Sequence, residues 1–316
     1  MASDRLATCR ACCADLPAPA KGRYAICGNC GSLNLVSEFD ASEDNLRYFD
    51  EVYARAPVES SSRYQDLYAF FERIHNRLFR SQIESFDADL QRLDRLVRTA
   101  GKVLEIGFGY GEQLVRWLKE GADAYGVELS HEALAKFKSQ FPDYADRVLP
   151  SFADLGTKHF PVIYSSALFE HLEDPSDFLT RCRKLLSPDG VLVFRFPAIV
   201  DGVSRGRLLR TRDINEWDPC HRGLYTRQGI EHLMRRTGFR LVRCGRSDYF
   251  GYKVMSAMLQ KGISEVEYCR SPTVSYPALR SRFTYILVLI SALAWRLVCA
   301  EFIVVMAPDR KYGTTA

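Results

Sequence analysis

Two cysteine pairs, Cys9-x-x-Cys12 and Cys27-x-x-Cys30, have the spacing that lets four thiolates close a tetrahedron around one metal ion. The second pair carries Gly28 and Gly31, which permit a tight knuckle that points backbone N–H groups at sulfur. In the first knuckle Cys13 takes the glycine's place and is either a spare thiol or a substitute ligand. Four thiolates leave no open position for substrate or water, so the expectation is a structural Zn2+ in a small zinc ribbon. Cys182, Cys220, Cys244, Cys269 and Cys299 stand alone and read as small buried hydrophobes.

A second constellation runs Val103-Leu104-Glu105-Ile106-Gly107-Phe108-Gly109-Tyr110-Gly111, an apolar strand entering a turn with glycines at alternate positions. Glycine lets backbone approach a ligand closely, and in open α/β sheets such turns lie at the carboxyl ends of strands, where ligands bind. A nucleotide-like cofactor is expected there. Gly126-Val127-Glu128-Leu129 then places an acid 17 residues after Gly111, suited to the two hydroxyls of a ribose. The main competitor is a dinucleotide-binding oxidoreductase. Its G-x-G-x-x-G fingerprint needs a third glycine where this chain has Glu112, and a carboxylate there repels a diphosphate.

These groups must be held by regular elements. Apolar residues three and four apart between Asn45 and Val97, ending in Phe86, Leu90, Leu93, Leu96 and Val97, predict amphipathic helices. From 102 to 195 short β-rich runs alternate with helical ones: strands near 103–106, 124–128, 147–149, 162–165 and 190–196, helices near 112–119, 131–140 and 175–186. That alternation implies a mostly parallel sheet covered on both faces.

The turn Glu105 to Gly111 followed by Gly126-Val127-Glu128-Leu129-Ser130 resembles the first two motifs of class I S-adenosylmethionine-dependent methyltransferases. Leu168-Phe169-Glu170-His171-Leu172-Glu173-Asp174-Pro175 is similar to the L-E-H-L-x-D-P segment of the small-molecule branch that includes ubiquinone and menaquinone methyltransferases. Leu185 to Val193 resembles the L-K-P-G-G stretch before the fifth strand, and His221 to Thr226 with Gly238-Phe239 resembles H-x-x-x-F-T…G-F. The ribbon followed by Tyr48 to Tyr53 is also similar to bacterial methyltransferases that carry such a ribbon and act on sugars, glycans or secondary metabolites.

The resemblance implies a Rossmann-like, seven-stranded α/β sheet, parallel except for the last strand, with helices on both faces. The implied divisions are 1–40 zinc ribbon, 41–98 helical cap or linker, 99–248 core, 249–300 helical insert, and 301–316 final strand and tail. It implies S-adenosylmethionine as cofactor, with Gly107, Gly109 and Gly111 under its methionine part, Glu105 near its amino group, Glu128 at its ribose, and Leu129 as a further cofactor contact. Ser151 stands where the family commonly has an acid for adenine, so Ser151 and Phe152 take that contact, with Asp154 as a nearby candidate. His171 and His221 are each read either as the general base for an acceptor hydroxyl or as an ordering group. Glu170 reads as a helix-start acid. Tyr53 and Tyr225 either cover the cofactor or acceptor, or pack.

Composition bounds the partners. A net charge of +4 over 316 residues is too balanced for a dedicated nucleic-acid binder, so no nucleic-acid partner is expected. Residues 195–250 nevertheless hold twelve arginines against six acids. Arg205, Arg207, Arg210, Arg212, Arg222 and Arg227 read either as a phosphate-recognising mouth, with Arg207 and Arg210 on the acceptor, or as a solvated loop balanced by Asp213, Glu216 and Asp218. No secretory leader is recognisable and the run 283–307 contains Arg296 and Glu301, so a cytoplasmic protein is expected. The apolar segment 283–298 packs over the acceptor pocket, dimerises or touches a membrane surface. A small-molecule methyltransferase acting on a sugar, glycan precursor or natural product is the leading reading. The alternatives are an RNA methyltransferase gripping nucleic acid with its ribbon, and a cofactor-binding protein without turnover.

Overall fold

A computed structural model describes residues 8–18, 24–36, 77, 80–199, 221–247 and 299–309. The strands are β1 Tyr24–Ile26, β2 Leu33–Leu35, β3 Lys102–Ile106, β4 Asp123–Val127, β5 Val148–Leu149, β6 Phe160–Ser166, β7 Leu186–Ile199, β8 Gly223–Leu224, β9 Phe239–Ser247 and β10 Cys299–Pro308. The helices are α1 Arg80–Ala100, α2 Glu112–Lys119, α3 His131–Gln140, α4 Pro175–Leu185 and α5 Arg227–Arg236. The main sheet has seven strands in the order β5-β4-β3-β6-β7-β10-β9. The β5, β4, β3, β6 and β7 strands are parallel neighbours, and β10 runs antiparallel to both β7 and β9. The expected sheet, parallel except for its last strand, is the one found.

Alternation along the strands sends side chains to two separate cores. On one face Val103, Val162, Tyr164 and Val193 meet Leu93 and Val97 of α1, Trp117 of α2 and Phe137 of α3. On the other, Leu104, Ile163, Leu192, Phe194 and Phe196 meet Leu179 of α4 and Leu233 and Met234 of α5. Both faces are thus dry, which is why these strands read as near-continuous apolar runs. A paired charge pins α1 to α2: Arg116 donates to both oxygens of Asp94 at 2.7 and 2.6 Å, and Trp117 Nε1 donates at 3.1 Å.

The ribbon forms a second sheet, and it is not self-contained. The hairpin of β1 and β2 takes its third strand, β8, from far outside residues 1–40. Its cysteines Cys9, Cys27 and Cys30 are buried in the same core as Leu179, Phe196 and Tyr225. Long-range β pairing of this kind leaves no periodic trace in the sequence, so local pattern placed no strand at 223–224. The earlier part of the expected helical stretch, 45–76, and the insert apart from Cys299 and Ala300 lie outside the described residues. Among the described residues no helix is long and apolar enough to cross a membrane.

Candidate active site

The glycine turn leaves β3 at its carboxyl end. Gly111, at φ 77°, is the N-cap of α2, and a Cβ on it would lie 2.4 Å from the Phe137 ring. Only glycine lets the turn close that tightly against α3. Glu112 is the first residue of the helix, where the alternation of apolar runs predicts its start. The carboxylate of Glu128, at the end of β4, straps the turn: Gly109 N–H donates to one oxygen at 2.9 Å and Ser130 N–H to the other at 3.0 Å. Each oxygen keeps a second acceptor site, so both ribose hydroxyls can still be bound. Leu129 beside it is 62% exposed, an apolar surface next to the turn.

Glu105 lies under the turn, 4% exposed. One oxygen takes the Leu114 N–H at the start of α2, while Oε2 is buried without a hydrogen-bond partner among the described residues. Burial pushes this carboxyl up to about 8, and the charge of Glu128 pushes the same way. An orphaned buried acceptor beside a second carboxylate is a site for a cation, and the ammonium of a methionine moiety fits it. Sequence reasoning missed Ser165, whose buried hydroxyl also has no partner among the described residues and sits at the register position beside Ile106. A serine in an apolar strand carries no signal of such a place.

Ser151, read from the sequence as an adenine contact, donates through Oγ to Asp154 Oδ2 at 2.6 Å, so the acid absent at 151 is one hydrogen bond away. Phe152 packs edge-on against Phe178 at 6.0 Å. Beyond β6 the chain turns through Ala167 at φ 51°, an uncommon region for a non-glycine residue, and sets Leu168 under Gly107. The short turn Phe169–His171 follows. Glu170 stands in the first turn of this short helix, as a helix-start acid, and it is buried, which the sequence reading did not foresee. The longer helix α4 begins only at Pro175, with Asp174 as its cap.

The fold brings the two histidines together, 50 residues apart in the chain. Their rings lie 4.8 Å apart between centroids, and Glu170 Oε1 is 3.9 Å from His171 Nε2. Tyr225 is fully buried, packed on Phe169 and Phe196 at 5.2 and 6.4 Å, its hydroxyl without a partner among the described residues. Burial holds that hydroxyl above its ordinary pKa. Arg222 is buried, 3.5 Å from Glu173, so it departs from both the phosphate-recognising mouth and the solvated loop; Arg227 is exposed and pairs with Glu231 at 3.0 Å. Tyr53, Arg205, Arg207, Arg210 and Arg212 lie outside the described residues.

The four ribbon cysteines converge. Their sulfurs lie within 4.8 Å of one another, with Cys9 to Cys30 at 3.7 Å and Cys12 to Cys27 at 3.5 Å. A tetrahedral ion with sulfur arms of about 2.3 Å needs edges of about 3.8 Å, so the set fits zinc. Backbone N–H groups of Ala11 and Cys12 bond Cys9 sulfur, and those of Asn29 and Cys30 bond Cys27 sulfur. The knuckles match: Cys13 N–H donates to Cys9 O and Gly31 N–H to Cys27 O, both at 2.9 Å, with Cys13 at φ 59° and Gly31 at 76°. Cys13 is exposed against Arg236 and stands outside the cluster, which makes it the spare thiol.

A seven-stranded Rossmann-like sheet whose glycine turn opens a helix at the carboxyl end of β3, with Glu105 and Glu128 beside it, has the architecture of a nucleotide-cofactor-binding α/β domain. The family model described as a methyltransferase domain matches residues 75–243, more than half of the chain. The chain belongs to that family and carries the class I S-adenosylmethionine-dependent methyltransferase fold. It is 25% identical over 172 residues to a ubiquinone biosynthesis O-methyltransferase of Yersinia enterocolitica, covering 51% of this chain and 63% of that one. A relative of the same name from Actinobacillus pleuropneumoniae is 31% identical over 118 residues, 33% of this chain and 50% of its own. The chain thus spans half to under two thirds of the length of these relatives. A solved geranyl diphosphate C-methyltransferase from Streptomyces coelicolor A3(2) shares the fold, with a TM-score of 0.55 at 12% identity over 86% of this chain and 100% of that one.

Proposed function

We propose that this protein transfers a methyl group from S-adenosylmethionine to a hydroxyl of a small-molecule acceptor. The observation that carries the reading is Glu105: a buried carboxylate oxygen without a hydrogen-bond partner among the described residues, under a glycine turn strapped by Glu128. When bound, the cofactor supplies an electrophilic methyl on a sulfonium. Glu105 holds the ammonium, Glu128 the ribose hydroxyls, Leu129 and Phe152 cover the base, and Asp154 through Ser151 addresses its amino group. His171 and His221 face one another where the acceptor side is expected, and one imidazole takes the hydroxyl proton while the other orients it. Cys9, Cys12, Cys27 and Cys30 hold a structural zinc.

Oxygen as the methylated atom is supported by the names of the two relatives, both O-methyltransferases. The expectation of a sugar or glycan acceptor finds no support among them. The ribbon buries Arg10 and spends a strand edge on β8, which speaks against its gripping RNA. The first test is calorimetric binding of S-adenosylhomocysteine to wild type and Glu128→Ala, followed by labelled methyl transfer to a panel of phenols, catechols and sugars. Binding lost in the variant is expected; a folded wild type that binds neither cofactor form would sink the reading. His171→Gln and His221→Gln are expected to retain that binding while the better base loses roughly 10²-fold or more in transfer rate.

A further inference from the structure

The ribbon's hydrogen bonds are concentrated on one short segment, 221–226, and that segment starts with a site histidine. Tyr24 O–H donates to the His221 carbonyl at 2.8 Å. Leu35 N–H donates to the Arg222 carbonyl at 2.9 Å, while Arg222 N–H donates to the Glu170 carbonyl at 2.7 Å. Gly223 and Leu224 pair with Asn34 and Leu33. Ile199 N–H of the main sheet donates to the Tyr225 carbonyl at 3.1 Å. Thr226 closes the segment, its hydroxyl donating to the Cys30 carbonyl at 2.6 Å and its N–H to Ser32 Oγ at 3.2 Å.

A two-residue strand cannot hold itself in place, so its position is set by what lies on either side. On one side is the ribbon; on the other are β7 and the turn carrying His171. Arg222 is the joint, because one residue's C=O takes the ribbon and its N–H takes the turn. Arg10 braces the same junction, donating to Leu35 O at 3.0 Å and to Glu173 Oε1 at 2.8 Å. Tyr24 is buried, so its hydroxyl must find a partner, and the partner it finds is the backbone of His221.

We propose that the cysteine ribbon is a clamp that positions His221 against His171, with Tyr24 the positioning residue that transmits it. The role assigned to these histidines rests on the methyltransferase reading; the clamp itself rests on the bonds above. The four cysteines, holding a metal, would fix the β1–β2 hairpin; the hairpin fixes 221–226, and that segment fixes the distance between the two imidazoles.

The test uses full-length protein labelled with ¹³C-histidine, the two ring signals assigned through His171→Gln and His221→Gln. Tyr24→Phe keeps the ring and removes the donor. Its expected result is displaced Cε1–H signals for His171 and His221, unmoved signals for His131 and His159, and S-adenosylhomocysteine affinity within about twofold of wild type, as expected for one lost hydrogen bond remote from the cofactor. Stripping metal with a thiol reagent and chelator should displace the same two signals further, and zinc should restore them. Unmoved His171 and His221 signals in Tyr24→Phe would overturn the clamp, even if the stripped protein unfolds. Displaced signals in a protein that never binds S-adenosylhomocysteine would retain the clamp and remove the methyltransferase reading.

Discussion

Glu105, in the role proposed for it, would serve a ligand at the expense of the empty fold. Its carboxyl is pushed up to about 8, first by burial and then by Glu128, so the free protein holds it protonated at neutral pH. A folded value above the unfolded one means that its contribution to stability is fully present below the ordinary carboxylate range and is lost as pH rises through about 8. Glu105→Gln is therefore expected to raise the melting temperature of the free protein, with the gain growing from mildly acid pH to above 8. On the proposed reading, the ammonium of the cofactor selects the carboxylate form. Binding below pH 8 should release up to one proton, read by calorimetry in buffers of different ionisation enthalpy, and none in Glu105→Gln. Equal proton release by both proteins would mean that Glu105 is not the ammonium's partner.

Among the elements, the β3 to α2 connection has the least tolerance. Gly111 combines a left-handed φ with a Phe137 ring that would stand 2.4 Å from any Cβ. Gly111→Ala is expected to cost roughly 2 kcal/mol or more in chemical denaturation and to abolish cofactor binding, because the ring must move and the turn moves with it. Gly121, also at positive φ but with open space around it, is the control: alanine there pays for φ alone. The turn was legible in the sequence because its glycines are local requirements of local geometry. The ends of β7 were not. It was expected near 190–196 and runs Leu186–Ile199, since its last residues are held by Cys299, Ala300 and Tyr225 from distant parts of the chain.

For the molecule as a whole, the ribbon and the catalytic sheet share one core. Cys9, Cys27 and Cys30 pack in the same cluster as Phe196, Tyr225 and Met234. A single calorimetric unfolding transition is expected for the described body, and removing metal should lower it by several kcal/mol, since metal binding is then coupled to the folding of the shared core. A separate, metal-dependent transition ahead of an unchanged main one would show instead that the ribbon folds as an independent unit.

Spacing alone was enough for the convergence of the four cysteines, the glycine turn, Glu128 at the end of the second parallel strand, and the order of strands and helices through Phe196. Each is a requirement that acts within a turn or along one element, so residue types a few positions apart carry it. The meeting of His171 with His221, the burial of Arg222 and Glu170, and the loan of β8 to the ribbon were decided only when the chain closed on itself. Those relations join residues 50 to almost 200 positions apart through backbone hydrogen bonds, and a backbone amide looks the same whichever side chain it carries.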